Sequence, residues 1–183
     1  MDPALSDGDD PTPALGTVVD EGRGALPYRL VHGESLVACA AWALGEAHVT
    51  AVDLGTPWEA IVDEDEPFVV HDPLCPMTPP SFIAACVDRA VETGAVVVGV
   101  DEAGVVLSPV VLPAPVVAAL TGVPSTDLAR LVELLEASYD VQRRVAPAAA
   151  ARVSSDADIA ALERLTAPGP DGHPDDPAAR ADA

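Results

Sequence analysis

The sequence contains no lysine, and its nine basic side chains, all arginines, face 30 aspartates and glutamates. Without an amine side chain, neither Schiff-base chemistry nor a lysine clamp on phosphate is available. The formal net charge of -21 sets up a field that repels polyanions. It weighs against nucleic acid and anionic membrane surfaces as partners. An acidic surface is also an ordinary device of solubility, so the charge alone names no function. Aromatic residues make up only 3% of the chain, and the 49% hydrophobic fraction is carried by Ala, Val and Leu. Such small and β-branched residues suit a closely layered α/β core better than an aromatic-rich sandwich. The three cysteines, Cys39, Cys75 and Cys86, show no CxxC spacing, so neither a zinc site nor a disulfide framework is indicated. No apolar run approaches the roughly 20 residues that cross a bilayer. The opening MDPALSDGDDPTP is acidic and proline-rich where a secretion signal is basic and then apolar. A cytoplasmic protein with no nucleic-acid or membrane partner is expected.

What is present fits one domain of ordinary size at 183 residues. Residues 1–15 and 166–183 lack periodic apolar positions and are expected to be disordered tails around a single domain, 16–165. In the second tail, His173 lies beside Asp171 and Asp175; a single His in such a segment is ordinarily solvated rather than a metal ligand. Strands are predicted at 16–19, 49–54, 67–71, 95–100, 105–111 and 139–145, the fifth as the return arm of a hairpin. The run AVVVGV at 95–100 is of the kind buried on both faces. Helices are predicted at 35–47 with Ser35 as N-cap, 80–93 closed by Gly94, 115–120, 125–137, and within 152–165 behind Ser155. Trp42 falls off the apolar stripe of its helix and is expected to be half-buried. Residues 55–67 read as a loop, and their DEDE cluster at 63–66 reads as a solvated turn lacking calcium-loop spacing. The alternation predicts a three-layer, Rossmann-like α/β domain with a mostly parallel sheet.

The stretch FVVHDPLCPMTP at 68–79 is the focus of the chain. A carboxylate at the carboxyl end of a buried strand stands where open α/β sheets place their ligand crevice, which makes Asp72 the leading site candidate. The structural alternative is a carboxylate that caps loop amides ahead of the helix at Pro80. His71 reads as a packed or hydrogen-bonded strand-end residue rather than a catalytic base.

Several motifs, in order, resemble the 2-C-methyl-D-erythritol 4-phosphate cytidylyltransferase family of α/β nucleotidyltransferases. FVVHDPLCPMTP is similar to the family's V-H-D-A-A-R-P-L motif, RVSSDADI at 152–159 to K-I-T-T-P-E-D-L, and STDLARLV at 125–132 to T-D-D-A-S-L-V. Leu26-Pro27 and the HGESLV run at 32–37 resemble L-P-K and the G-x-P-L-L that opens the first helix. The resemblance implies a nucleotidyltransferase fold with Asp72 near metal and nucleotide. It implies that Gly22, Arg23 and Gly24 stand in the nucleotide loop, and that Arg152 stands for a catalytic lysine. The departures are equally specific. Asp20 and Glu21 adjoin the loop and oppose phosphate, Tyr28 replaces the lysine of L-P-K with Arg29 one residue off, and Cys75 replaces an arginine. GTPWEAIVDEDEP lacks the segment that reads cytosine, and DEAGVVLSPVVLP is too short for the substrate-binding arm and its dimer contacts.

Nucleotidyl transfer depends on neutralising developing charge, and losing one stabiliser costs about two to three orders of magnitude in rate. A degenerate relative without catalysis is therefore expected, acting as a regulatory or interaction partner, for example of an intact homologue. The alternative is an active, divergent CTP-dependent nucleotidyltransferase of isoprenoid precursor synthesis. It would use Arg23, Arg29, Arg152 and Mg2+ on Asp72. A second alternative is an unrelated small molecule bound on the same fold.

Overall fold

The structure, a computed structural model, describes residues 10–53 and 55–168. The expectations for the rest of the two tails, His173 with Asp171 and Asp175 included, lie outside the described residues. Strand β1, Ala14–Val18, starts earlier than the GTVV run suggested. Ala14 and Leu15 are themselves buried and pair with β4 (Val49–Ala51) and β5 (Phe68–His71). Between β1 and β4 lie a single 3-10 turn at Leu26–Tyr28, a hairpin of β2 (Leu30–Val31) and β3 (Glu34–Ser35), and helix α1 (Leu36–Glu46). The Ser35 hydroxyl accepts from the Ala38 N–H and so caps α1, as its position predicted.

Helix α2, Trp58–Asp63, forms where a loop was expected. It buries Ile61, and the Trp58 Nε1–H donates to the Val117 and Leu120 carbonyls at 3.2 and 2.9 Å. The DEDE cluster ends this helix in a turn whose first three carboxylates are exposed. Then follow α3 (Pro80–Thr93), β6 (Val96–Val100), β7 (Val106–Leu112), α4 (Ala114–Ala119), α5 (Leu128–Glu136), β8 (Val141–Val145) and α6 (Asp156–Thr166). Helix α5 begins later than the sequence suggested because Asp127 caps it, accepting from the Arg130 N–H at 2.8 Å. Trp42, expected to be half-buried, is 63% exposed on α1. Among the described residues no helix is long and apolar enough to cross a membrane.

The main sheet has six strands in the order β4-β1-β5-β7-β6-β8. Strand β7 runs antiparallel to both neighbours, and the other three pairings are parallel. Successive strand residues point to opposite faces. Phe68, Val70, Val96, Val98, Val110 and Leu112 accordingly pack with α5 and α4 on one side, while Val69, Val97 and Val111 pack with α1 and α3 on the other. Each such side chain, fully buried, contributes about 1.5–3 kcal/mol. A third cluster of Val31, Leu36, Leu74, Val153, Ile159 and Leu162 lashes the hairpin and α6 to the loop after β5. This cluster is what brings the far end of the chain beside Asp72. At Gly99 the strands come so close that a Cβ would stand 2.5 Å from the Ser108 carbonyl oxygen, so the position admits no side chain without backbone movement.

Candidate functional site

Asp72 follows the last residue of β5 and is fully buried. The Val19 N–H donates to the His71 carbonyl at 2.9 Å, which carries the β1–β5 pairing to the carboxyl ends of the two strands and leads residues 20–24 to Asp72. Gly22 (φ 77) and Gly24 (φ 61) adopt the left-handed conformation that glycine tolerates. The turn they make aims Arg23 inward, leaving its side chain only 7% exposed. Its Nε donates to Asp72 Oδ1 at 3.1 Å and its Nη2 to Oδ2 at 3.2 Å, the paired geometry that suits a planar guanidinium. The same Nη2 reaches the Thr126 carbonyl at 2.6 Å, and Nη1 donates to the Glu21 carbonyl.

Arg152 arrives from the other end of the chain. The Val153 N–H donates to the Leu74 carbonyl at 2.8 Å, and buried Val153 anchors the segment. From there the Arg152 Nη1 donates to Asp72 Oδ2, with 39% of the side chain still in solvent. The fourth donor is the Leu74 N–H, 2.9 Å from Oδ1. Each carboxylate oxygen thus accepts two hydrogen bonds, which fills the roughly four acceptor positions of a carboxylate. Burial works to raise the Asp72 pKa. The Arg23 hydrogen bonds, the Leu74 amide and the Arg152 charge outweigh it, holding the carboxyl below its usual range. Two guanidiniums on one carboxylate leave the group with one positive charge.

Behind the carboxylate, His71 is fully buried and its Nδ1 shares a hydrogen bond with the Ser108 Oγ, which also accepts the Asp72 N–H at 3.0 Å. The His71 Nε2 has no partner among the described residues, and burial pulls the pKa down to about 4, against the opposing field of Asp72. The imidazole is therefore neutral at ordinary pH. Ser108 is as buried as His71, so the pair braces the strand end and presents no nucleophile to solvent. Cys75, where the resemblance places an arginine, is buried with its thiol pushed up to about 12 by burial.

The structure therefore brings Arg23 and Arg152 together on Asp72, with Gly22 and Gly24 shaping the turn. It does not bring Arg29, which points away to pair with Asp156 at 3.5 Å. Asp20 is engaged too, accepting from the Tyr28 hydroxyl at 2.7 Å, an interaction that raises the phenol pKa. Sequence reasoning did not find Ser108 or the Thr126 carbonyl; a serine before a proline and a backbone oxygen carry no signal of their own.

Whether Mg2+ fits is decided by the donor set. A hard divalent cation takes oxygen ligands with free lone pairs, usually more than one carboxylate or several waters. Here both Asp72 oxygens are spent on four N–H donors, and the nearest charges are two cations. Among the described residues no group of three or more His, Cys, Asp or Glu converges on one point. The site as built does not fit the metal.

The six-stranded, mostly parallel sheet with helices on both faces is a nucleotidyltransferase-like α/β fold. No protein-family model and no curated protein matches the chain. Solved structures do, and cytidylyltransferases are among them. The chain is similar to 4-diphosphocytidyl-2C-methyl-D-erythritol synthase from Anaerococcus prevotii DSM 20548, with 11% identity, a TM-score of 0.57, and 84% of this chain and 96% of that chain covered. It is similar to 2-C-methyl-D-erythritol 4-phosphate cytidylyltransferase from Thermus thermophilus, with 16% identity, a TM-score of 0.53, and coverage of 84% and 98%. A third similar structure is CMP:2-keto-3-deoxy-manno-octonic acid synthetase complexed with CTP, with 10% identity, a TM-score of 0.56, and coverage of 84% and 98%. At these identities the likeness establishes the fold.

Proposed function

We propose that this is a nucleotidyltransferase-fold protein without transfer chemistry, acting as a regulatory or interaction partner of another protein such as an intact cytidylyltransferase homologue. The observation that carries the reading is the saturation of Asp72 by Arg23, Arg152 and the Leu74 amide. A carboxylate meant to hold a metal keeps lone pairs free for it, and this one has none left. The surroundings support the same reading. Asp20 and Glu21 border the glycine turn, Tyr28 stands where the resemblance expects a lysine, and Cys75 where it expects an arginine. Each substitution removes positive charge or adds negative charge where a triphosphate would need neutralising.

The reading is tested by assaying pyrophosphate release from CTP with 2-C-methyl-D-erythritol 4-phosphate and Mg2+ or Mn2+, at high protein concentration. The expected rate equals that of the protein-free control. Release above that control that vanishes in Asp72→Asn would establish the active alternative instead, an isoprenoid-precursor cytidylyltransferase.

A further inference from the structure

The chain has two tryptophans, and they are treated in opposite ways. Trp58 is packed edge-on to Phe68 with centroids 5.3 Å apart and donates its N–H, so its role is structural. Trp42 is exposed and lines a mainly apolar groove of about 520 Å³. That volume lies within the range typical of small-molecule sites. Ala38, Cys39 and Trp42 of α1 form one side, Val31 and Glu34 of the hairpin a second, and the loop through Met77 the third.

The hairpin wall is held by its own pairing and by α6. The hairpin turns on His32 (φ 50) and Gly33 (φ 86), two successive left-handed residues between paired strands, as a type I′ turn requires. Helix α6 clamps this turn, with Glu163 accepting the His32 N–H at 2.9 Å and the Thr166 hydroxyl 2.7 Å from the His32 ring. The opposite wall carries Pro76 and Pro80, which restrict the backbone. A rigid groove loses little entropy on binding.

Glu34 is the groove's acidic side chain, and the rest of the molecule reinforces it with a net charge of -21. Burial and, after it, the Glu34 charge raise the pKa of the Cys39 thiol on the α1 side of the groove. An indole and a carboxylate that line the same groove can receive an organic cation together, the ring quadrupole and the charge both attracting it. We propose that the α1–hairpin groove is a binding site for a small organic ammonium ion with an apolar body, its charge between Trp42 and Glu34 and its body along Ala38, Cys39 and Met77. This site is separate from Asp72 and does not depend on the function proposed above.

The test uses three probes of one shape class on the full chain: benzyltrimethylammonium, benzyl alcohol and phenylmethanesulfonate. Binding is followed by Trp42 fluorescence, with Trp42→Phe as the blank, and by the rate at which a thiol reagent modifies Cys39. Cys75 and Cys86 are buried and leave Cys39 as the accessible thiol. A probe of this size is expected to bind at about millimolar Kd. Benzyltrimethylammonium should quench Trp42 saturably and protect Cys39, while phenylmethanesulfonate should do neither. Glu34→Gln, a change on an exposed residue, should weaken the ammonium probe about fivefold. Equal binding of the alcohol and the ammonium, no response to Glu34→Gln, or no binding of any probe would each overturn the proposal.

Discussion

Asp72→Ala is expected to lower the folding stability by about 3–5 kcal/mol, the cost of stranding a buried charge. For a domain of this size that corresponds to a fall in Tm of about 10 °C. The loss concentrates on Arg23. Arg152 is 39% exposed and can turn into water, whereas Arg23 is 7% exposed and held by the Thr126 and Glu21 carbonyls. The Leu74 N–H loses its acceptor as well. Thermal unfolding of the variant near pH 7.5 measures the effect. Arg23→Met in the same background should then recover part of the loss, because the stranded charge is gone. A fall of under about 1 kcal/mol would mean that the carboxylate does not hold Arg23.

Acid should weaken the protein in two stages, the first set by His71. The native state keeps this imidazole neutral, with a pKa of about 4 against an ordinary value of 6.5. The unfolded chain therefore takes up its proton first as pH falls, and stability drops between those two values. A difference of this size amounts to about 3 kcal/mol by pH 4. Below that the His71 contribution levels off, and Asp72 takes over. Its pKa is depressed in the folded state, so its stabilisation is present above the unfolded value and lost as pH falls through the folded one. Urea unfolding at a series of pH values from about 7.5 to 2.5 gives the profile across both stages. Protonating surface carboxylates relieves self-repulsion over the same range and works the other way. The comparison with His71→Asn isolates the first stage: the variant should lose most of the decline between about pH 6.5 and 4.

Local signals account for what was legible in the sequence. Helix α3 matches its expected span because Pro80 opens it and Gly94 closes it, and α1 and α6 begin where Ser35 and Ser155 cap them. The apolar run of β6 announced a strand buried on both faces, and all five of its residues are buried. Elements too short to show a period left no such trace. Helix α2 has six residues and each hairpin strand two, and only tertiary contacts such as the Trp58 N–H to the end of α4 reveal them. Its place off the apolar stripe of α1 did not say how far Trp42 stands out, and the structure leaves it exposed at the groove beside α1.

The site was legible as residues and not as an arrangement. Asp72 stood out at a strand end, Arg23 between two glycines, and Arg152 in a motif before a helix. Their contacts join positions 49 and 80 apart in the chain. Periodicity and spacing say nothing at such separations. Convergence depends on the β1–β5 pairing and on Val153 docking against Leu74, which only the fold supplies.

On the function proposed for this chain, Asp72 is committed to two arginines and not to a metal-bound nucleotide. Calorimetric titration of the intact protein with CTP, with and without Mg2+, tests it without needing the second substrate. No metal-dependent binding of millimolar affinity or tighter is expected. Metal-dependent CTP binding in that range that disappears in Asp72→Asn would contradict it.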